Sequence, residues 1–296
     1  LACEVSRRTI FRDLEALRQA GVPLGYDEQH QRHRIQGNYF LPPTNFTPEE
    51  ALALIVLASD LGEQSQLPFF RPARSAALKL ESTLPERLRQ RLRSSGGAIK
   101  IRLEPTNPLA GQELIYEQLV TALAEHSAVR ILYFSPASGD EVSTRLHPYH
   151  LLFSRRSWYV IGRSSLYREV RTFNVGRIRK LELLDDHYQV PRGFSVNRYL
   201  RNAWHLIPEP GADSHVVIRF SKLVAHNVAE VGWHKTQRFQ FNSDGTLDFH
   251  VTVSGLNEIS WWILGYGDHA EVLHPEGLRR LIADRARQMV QVYADE

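Results

Sequence analysis

Cysteine is nearly absent: Cys3 is the only one in 296 residues. A single thiol excludes an intramolecular disulfide and any cysteine-based zinc site, and it fits a reducing, cytoplasmic setting. Methionine is equally scarce, with Met289 alone. The chain opens on Leu1, so further natural sequence is expected before it. No apolar run approaches the ~18 residues of a membrane span, and no secretory leader pattern opens the chain, so no membrane partner is expected.

The signatures of catalysis are also missing. There is no Gly-x-Ser-x-Gly elbow, no P-loop and no His-Glu-x-x-His, and no pair of carboxylates suggests acid–base work. "GYGDHA" imitates a dinucleotide loop but precedes a strand instead of opening a helix. His147 and His150 flank a proline with no carboxylate cluster near them, which argues against a metal site. The expectation is a non-enzyme with no catalytic residue, no metal and no cofactor.

Lysine is rare too, with 5 against 31 arginines. Arginine is the better fork for phosphate oxygens. The net charge is only +3, but its distribution is uneven. Residues 145–180 hold nine basic groups and one acid, Glu169. So one-sided a stretch points to an anion-binding surface.

Periodicity divides the chain into an α+β multidomain protein. Residues 1–43 hold "VSRRTIFRDLEALRQAG", an amphipathic helix with Ser6 as N-cap and Gly21 as stop. A short hairpin follows, with Arg32, His33 and Arg34 near its tip. Arg7, Arg8, Thr9 and Arg12 crowd the N-terminal half of the helix, where a recognition helix meets bases and phosphates. The Pro-rich "LPPTNFTP" opens a helical segment, 44–111, with breaks expected at Pro72 and Pro85. Residues 112–194 read as a helix with buried face Leu114, Ile115, Leu119, Val120 and Leu123, then several short strands suggesting a small barrel. "VRTFNVGRIRKLELL" reads as one strand, which puts Arg171 and Arg177 on one face unless Gly176 makes a bulge. Residues 195–296 run β-α-β-β-α-β, the ferredoxin-like order, plus one helix. Trp261 and Trp262 are adjacent in a helix, so one is expected to face a partner chain.

Small barrels bind nucleic acid when basic side chains line a groove beside aromatic faces. Arg145, Arg155, Arg156, Arg171 and Arg177 supply charge. Tyr133, Tyr149 and Phe153 are candidate platforms, while Ser135, His147 and His150 are candidate hydrogen-bonding groups. Trp158 and Phe173 read as core.

The wording of the first helix resembles the end of the winged helix-turn-helix of DeoR-like and WYL-domain bacterial regulators, at Val5, Ser6, Arg8, Thr9, Arg12, Asp13, Leu14, Leu17, Gly21, Val22 and Pro23. The helices that precede it in that motif are absent from the sequence. "SWYVIGRS" resembles the signature that names the WYL domain, at Trp158, Tyr159 and Val160, with Val for the usual Leu. "VRTFNVGRIRKL" resembles the family's Arg-x-Phe segment, with Asn174 where another Arg is frequent. The resemblance implies an Sm/SH3-like β-barrel WYL domain followed by a ferredoxin-like extension implicated in dimerisation. It implies a cytoplasmic homodimeric transcription regulator that binds double-stranded operator DNA through Ser6, Arg7, Arg8, Thr9, Arg12, Arg32 and Arg34. Its effector would be a nucleotide or single-stranded nucleic acid. The alternatives are a nucleic-acid-binding regulatory subunit without its own operator, and a nucleotide-processing enzyme.

Overall fold

The computed structural model describes residues 6–19, 24–27, 30, 32–35, 47–64, 70–84, 86, 89–90, 105, 107, 109–136 and 138–294. The chain falls into two compact units, 1–110 and 111–296.

In the first unit, helix α1 (Arg7–Gln19) is followed by an antiparallel hairpin of β1 (Leu24–Asp27) and β2 (Arg32–Ile35). Ser6 caps α1: its Oγ accepts from the Thr9 amide at 3.2 Å and lies 2.9 Å from the Thr9 hydroxyl. The described residues thus give a helix and a hairpin, not a complete winged helix-turn-helix. Helices α2 (Pro48–Gln64) and α3 (Phe70–Thr83) pack together, with Ala51, Ile55 and Ala77 buried. α2 opens with a reciprocal cap. The Thr47 amide donates to Glu50 Oε2 at 2.8 Å, and the Glu50 amide donates to Thr47 Oγ1 at 3.2 Å. Replacing Thr47 with alanine is expected to cost about 1 kcal/mol, read as a small drop in helix content or melting temperature. Pro72 does not break a helix: it sits in the first turn of α3, where its missing N–H costs nothing. Pro85 lies outside the described residues.

The second unit begins with α4 (Glu113–Glu125). Its buried face is Tyr116, Leu119 and Ala122, while Leu114 and Val120 are exposed, so the face is rotated from the expected one. Five antiparallel strands follow: β3 (Ser127–Phe134), β4 (Glu141–Ser154), β5 (Ser157–Ser164), β6 (Val170–Asn174) and β7 (Ile178–His187). Their order is β6-β5-β4-β3-β7. Trp158, Phe173, Ile131 and Leu146 are buried, as alternation leads one to expect.

The expected barrel is not closed. β6 and β7 are opposite edges of the sheet, and no ladder joins them. Yet only a 3-10 turn, Val175–Arg177, separates them. A flat five-stranded sheet is ~19 Å across, beyond the ~14 Å reach of so short a link, so the sheet must curl. The edge-on contact of Tyr133 on β3 with Phe173 on β6, 5.1 Å between centroids, is the result. At the seam, side chains tie down the turn that links the two edges. Asn174 Oδ1 accepts from the Gly176 amide at 2.9 Å and from Ser157 Oγ at 3.1 Å. Gln112 Nε2 donates to the carbonyls of Gly176 and Ile178 at 3.0 and 3.3 Å. Residues 170–184 are therefore not one strand, and Gly176 lies in a turn rather than a bulge. Arg171 and Arg177 belong to different elements.

After a short helix, α5 (Val196–Leu200), comes a four-stranded antiparallel sheet of β8 (Ser214–Phe220), β9 (Arg238–Phe241), β10 (Leu247–Val253) and β11 (Ala270–His274), in the order β11-β8-β10-β9. Helix α6 (Ala225–Ala229) lies between β8 and β9 in sequence, and α7 (Asn257–Leu264) between β10 and β11. The closing helix is α8 (Glu276–Ala294). With fourth strand beside first and third beside second, this is the split arrangement implied by the β-α-β-β-α-β order. α6 is only five residues long. Val216, Ile218, Phe220, Phe249, Val251, Ile259 and Ile263 fill the core beneath the sheet. Trp262 packs against Phe249 and Trp204, whereas Trp261 is 65% exposed with the Arg285 guanidinium 4.1 Å from its ring centre.

Candidate functional site

The expected effector residues do not converge on one place. Ser135 sits in the β3–β4 turn, where its amide and carbonyl bond Asp140 and Gly139. That is about 13 Å along β4 from Arg145, at the usual rise per residue. Arg155 and Arg156 form the tight turn at the other end of β4, about 25 Å from His147. His150 is exposed just after a β-bulge, and Arg177 is exposed in the 3-10 turn. The candidate platforms are engaged: Tyr133 with Phe173, Tyr149 with Tyr188 and Phe194, and Phe153 with Trp158.

Arg145 and His147 do come together. They lie two apart on β4 and share a face. His147 is directly opposite Arg163 on β5, so that arginine joins them. With Ser164, Ser165 and Arg168 they line a cavity of about 350 Å³, within the range of small-ligand sites. The turn after β5 is pinned by hydroxyls. Thr144 Oγ1 and Ser164 Oγ are 2.8 Å apart and buried. The Ser165 amide donates to the Arg145 carbonyl at 2.8 Å, and the Arg145 amide donates to Ser165 Oγ at 3.1 Å. These bonds hold Arg163 and Arg168 beside Arg145. Arg168 itself adopts a left-handed backbone, φ 57°.

Three guanidiniums face this cavity. Asp186 pairs with Arg145, and neither Arg163 nor Arg168 has a carboxylate partner among the described residues. The Arg145 guanidinium donates to His147 Nε2 at 3.3 Å, and the His147 ring stacks on Tyr188, 5.1 Å away and 8° from parallel. Burial, then the charges of Arg145 and Arg163, hold the His147 imidazole below its ordinary value of 6.5. The ring is therefore a neutral acceptor at neutral pH that an incoming anion would help to protonate. Burial also lifts the Tyr188 phenol to about 12, with a contribution from Tyr149; it stays protonated and donates to the Pro148 carbonyl.

Arg171 stands apart. It pairs with Gly162 across β5–β6, whereas Arg163 pairs with Val170, so alternation puts Arg171 on the other face of the sheet. There it forms an ion pair with Glu169 and lies 4.8 Å from the Tyr167 ring centre. It lines a separate cavity with Thr172, Tyr199 and Arg201. Sequence reasoning missed Arg163 and Arg168. Alternation from Tyr159 through Ile161 could have flagged the face of Arg163, but the register against His147 was not readable.

In the first unit Arg8 is exposed, and Arg12 is exposed with its guanidinium on Asp13 at 3.2 Å. Arg32 and Arg34 are exposed on one face of the hairpin; Arg34 is 3.9 Å from Asp27. The Ser6 and Thr9 hydroxyls meet each other in the cap. The side chain of Arg7 lies outside the described ones. No group of three or more His, Cys, Asp or Glu among the described residues could hold a metal ion, and no described helix is long and apolar enough to cross a membrane.

Two family models match: the WYL domain over residues 115–183 and the WCX domain over 212–290. The first spans α4 through most of β7, the second β8 through most of α8. Protein PafB of Mycobacterium leprae (strain TN) is 25% identical over 298 residues, covering 96% of this chain and 85% of the relative. An uncharacterized HTH-type transcriptional regulator, YobV of Bacillus subtilis (strain 168), is 22% identical over 306 residues, covering 98% and 90%. Among solved structures, proteasome accessory factor B/C (PafBC) of Arthrobacter aurescens aligns with a TM-score of 0.30 at 19% identity, over 85% of this chain. This chain spans about a third of that one, 35%. A CRISPR Cas-related protein aligns with a TM-score of 0.43 at 12% identity, over 86% and 75% of the two chains. The chain is a WYL-domain protein in which a WCX domain follows the WYL domain.

Proposed function

We propose that the chain is a homodimeric DNA-binding transcriptional regulator. Its WYL domain takes a nucleotide or single-stranded nucleic acid as effector, and α1 with its hairpin meets operator duplex. The division into residues 1–43, 44–111, 112–194 and 195–296 assigns DNA contact, linkage, sensing and the C-terminal extension in turn. The observation that carries the reading is the cavity of Arg145, His147, Arg163 and Arg168, three guanidiniums opposed by the single carboxylate of Asp186. Guanidiniums are matched to phosphate oxygens, and the exposed Ser165 adds a hydroxyl at the cavity wall. Likeness to an HTH-type transcriptional regulator over nearly the whole chain, and the exposed Arg8, Arg12, Arg32 and Arg34, support the DNA-binding half.

The test is fluorescence anisotropy of a short single-stranded oligonucleotide at several salt concentrations. Phosphate contact predicts a steep inverse salt dependence; salt-independent binding, or none, overturns the effector assignment. His147 adds a pH signature. An anion favours its protonated form, so affinity is flat at alkaline pH and rises as the pH falls towards the pKa of His147, which burial and the neighbouring guanidiniums hold below its ordinary value. The rise is expected to vanish in His147→Gln. An oligonucleotide without terminal phosphate is the right probe, since its diesters do not titrate there; equal pH profiles in both proteins would refute the role given to His147.

A further inference from the structure

We propose that the outer face of the C-terminal sheet is a second binding surface for a nucleoside phosphate, free or within a strand, with the His215 and His250 rings taking the base and Lys235 and Arg238 its phosphate. The sequence alternation of β8 and β10 sends Val216, Ile218, Phe249 and Val251 into the core and His215, His250 and Thr252 to the opposite face. His215 and His250 rings lie 5.7 Å apart and 22° from parallel, and His274 adds a third ring 6.3 Å from His215. The first pair is close to parallel, and His274 is tilted by 38° to His215, so ring faces are contributed from three adjacent strands.

Beside it is a cavity of about 590 Å³ whose lining includes Asn202, Lys235, Thr236 and Arg238 with these two histidines, and no carboxylate among the described residues. The nearest acids are already satisfied. Arg219 grips Asp248 with two bonds of 2.7 and 2.8 Å. Asp213 accepts from Ser254 at 2.6 Å, Asn202 at 2.7 Å and Arg201. Arg238 has no acceptor among the described residues. Lys235 donates one bond, to the Arg201 carbonyl, which anchors the ammonium and leaves two N–H groups.

Four-stranded sheets that read single-stranded RNA stack bases on flat rings of their outer face, histidine included, while cations track the phosphates. A metal ion is a poorer fit, because the three imidazoles form no group able to hold one. This site is separate from the Arg145–Arg163 cavity, so the two can fail independently.

The experiment titrates the full chain with a fluorescein-labelled oligothymidylate and counts sites per chain. The wild type is expected to show two. His215→Ala/His250→Ala/Arg238→Ala weakens one by about tenfold or more, while Arg145→Ala/Arg163→Ala leaves that one intact. His250→Phe retains it, because a ring is what the base needs. A single site abolished by the Arg145/Arg163 pair, an unchanged titration in the triple variant, or displacement from the sheet by polyglutamate as effective as by oligonucleotide would overturn the proposal. All three replaced side chains are at the surface, and a melting curve confirms that the variant is folded.

Discussion

Replacing Arg145 and Arg163 together with alanine is expected to weaken binding of a short single-stranded oligonucleotide at their cavity by about 100-fold or more. Each guanidinium–phosphate contact is a charge-assisted hydrogen bond worth about 1.5–3 kcal/mol. Losing two exceeds the ~2.7 kcal/mol that 100-fold represents. Removing Arg145 also strips Asp186 of its partner and leaves a carboxylate near the phosphate. The salt slope should fall by about 1.4, the counterions of two single-strand contacts. Arg177→Ala is the control: it removes one guanidinium from the 3-10 turn, outside this cavity, and should change affinity by about twofold at most. Equal losses in both variants would mean that diffuse charge, not the cavity, does the binding.

Gly162→Ala is expected to be among the most damaging single methyl additions in the second unit. A Cβ there would lie 2.3 Å from the His147 carbonyl oxygen and 3.0 Å from its carbon. Backbone at that distance cannot turn away as a flexible side chain can. β4 and β5 must separate where His147 faces Arg163, at a cost of about 2–4 kcal/mol. The melting temperature falls, and effector binding falls with it because the cavity spans that strand pair. Gly232→Ala, where the new methyl meets nothing within 4 Å, should change stability by less than about 0.5 kcal/mol. Similar melting curves for the two variants would contradict the close approach.

The C-terminal sheet was readable because core residues recur at every second position of β8 and β10 and the Asp244-Gly245 turn is explicit; Gly245 adopts φ +85°. Trp158 and Phe173 were readable as core for the same reason. The break at Val175–Arg177 was not. Apolar and basic residues continue through it, and the turn is made by a hydrogen bond from the Gly176 amide to Asn174 and one from the distant Gln112 to the Gly176 carbonyl. One such turn moves the chain from one sheet edge to the other. It separates Arg171 from Arg177, which a count of six residues had placed together.

The candidate site was legible as charge and illegible as geometry. The excess of arginine between 145 and 180 is plain in the sequence. Which arginines meet depends on the pairing of His147 with Arg163 and on serine hydroxyls that pin a turn. Neither leaves a local signal. Tyr149 shows the converse: beside a basic run it reads as a stacking platform, but it packs against Tyr188 and Phe194.

The most direct test of the central claim couples the two activities. Affinity of the full chain for a duplex spanning its own promoter is measured with and without saturating single-stranded oligonucleotide, in the wild type and in Arg145→Ala/Arg163→Ala. If the cavity is the sensor, the oligonucleotide shifts wild-type duplex affinity by about fivefold or more, and the shift disappears in the variant at concentrations that saturate the wild type. An oligonucleotide effect of the same size in both proteins, or none in the wild type, would contradict it.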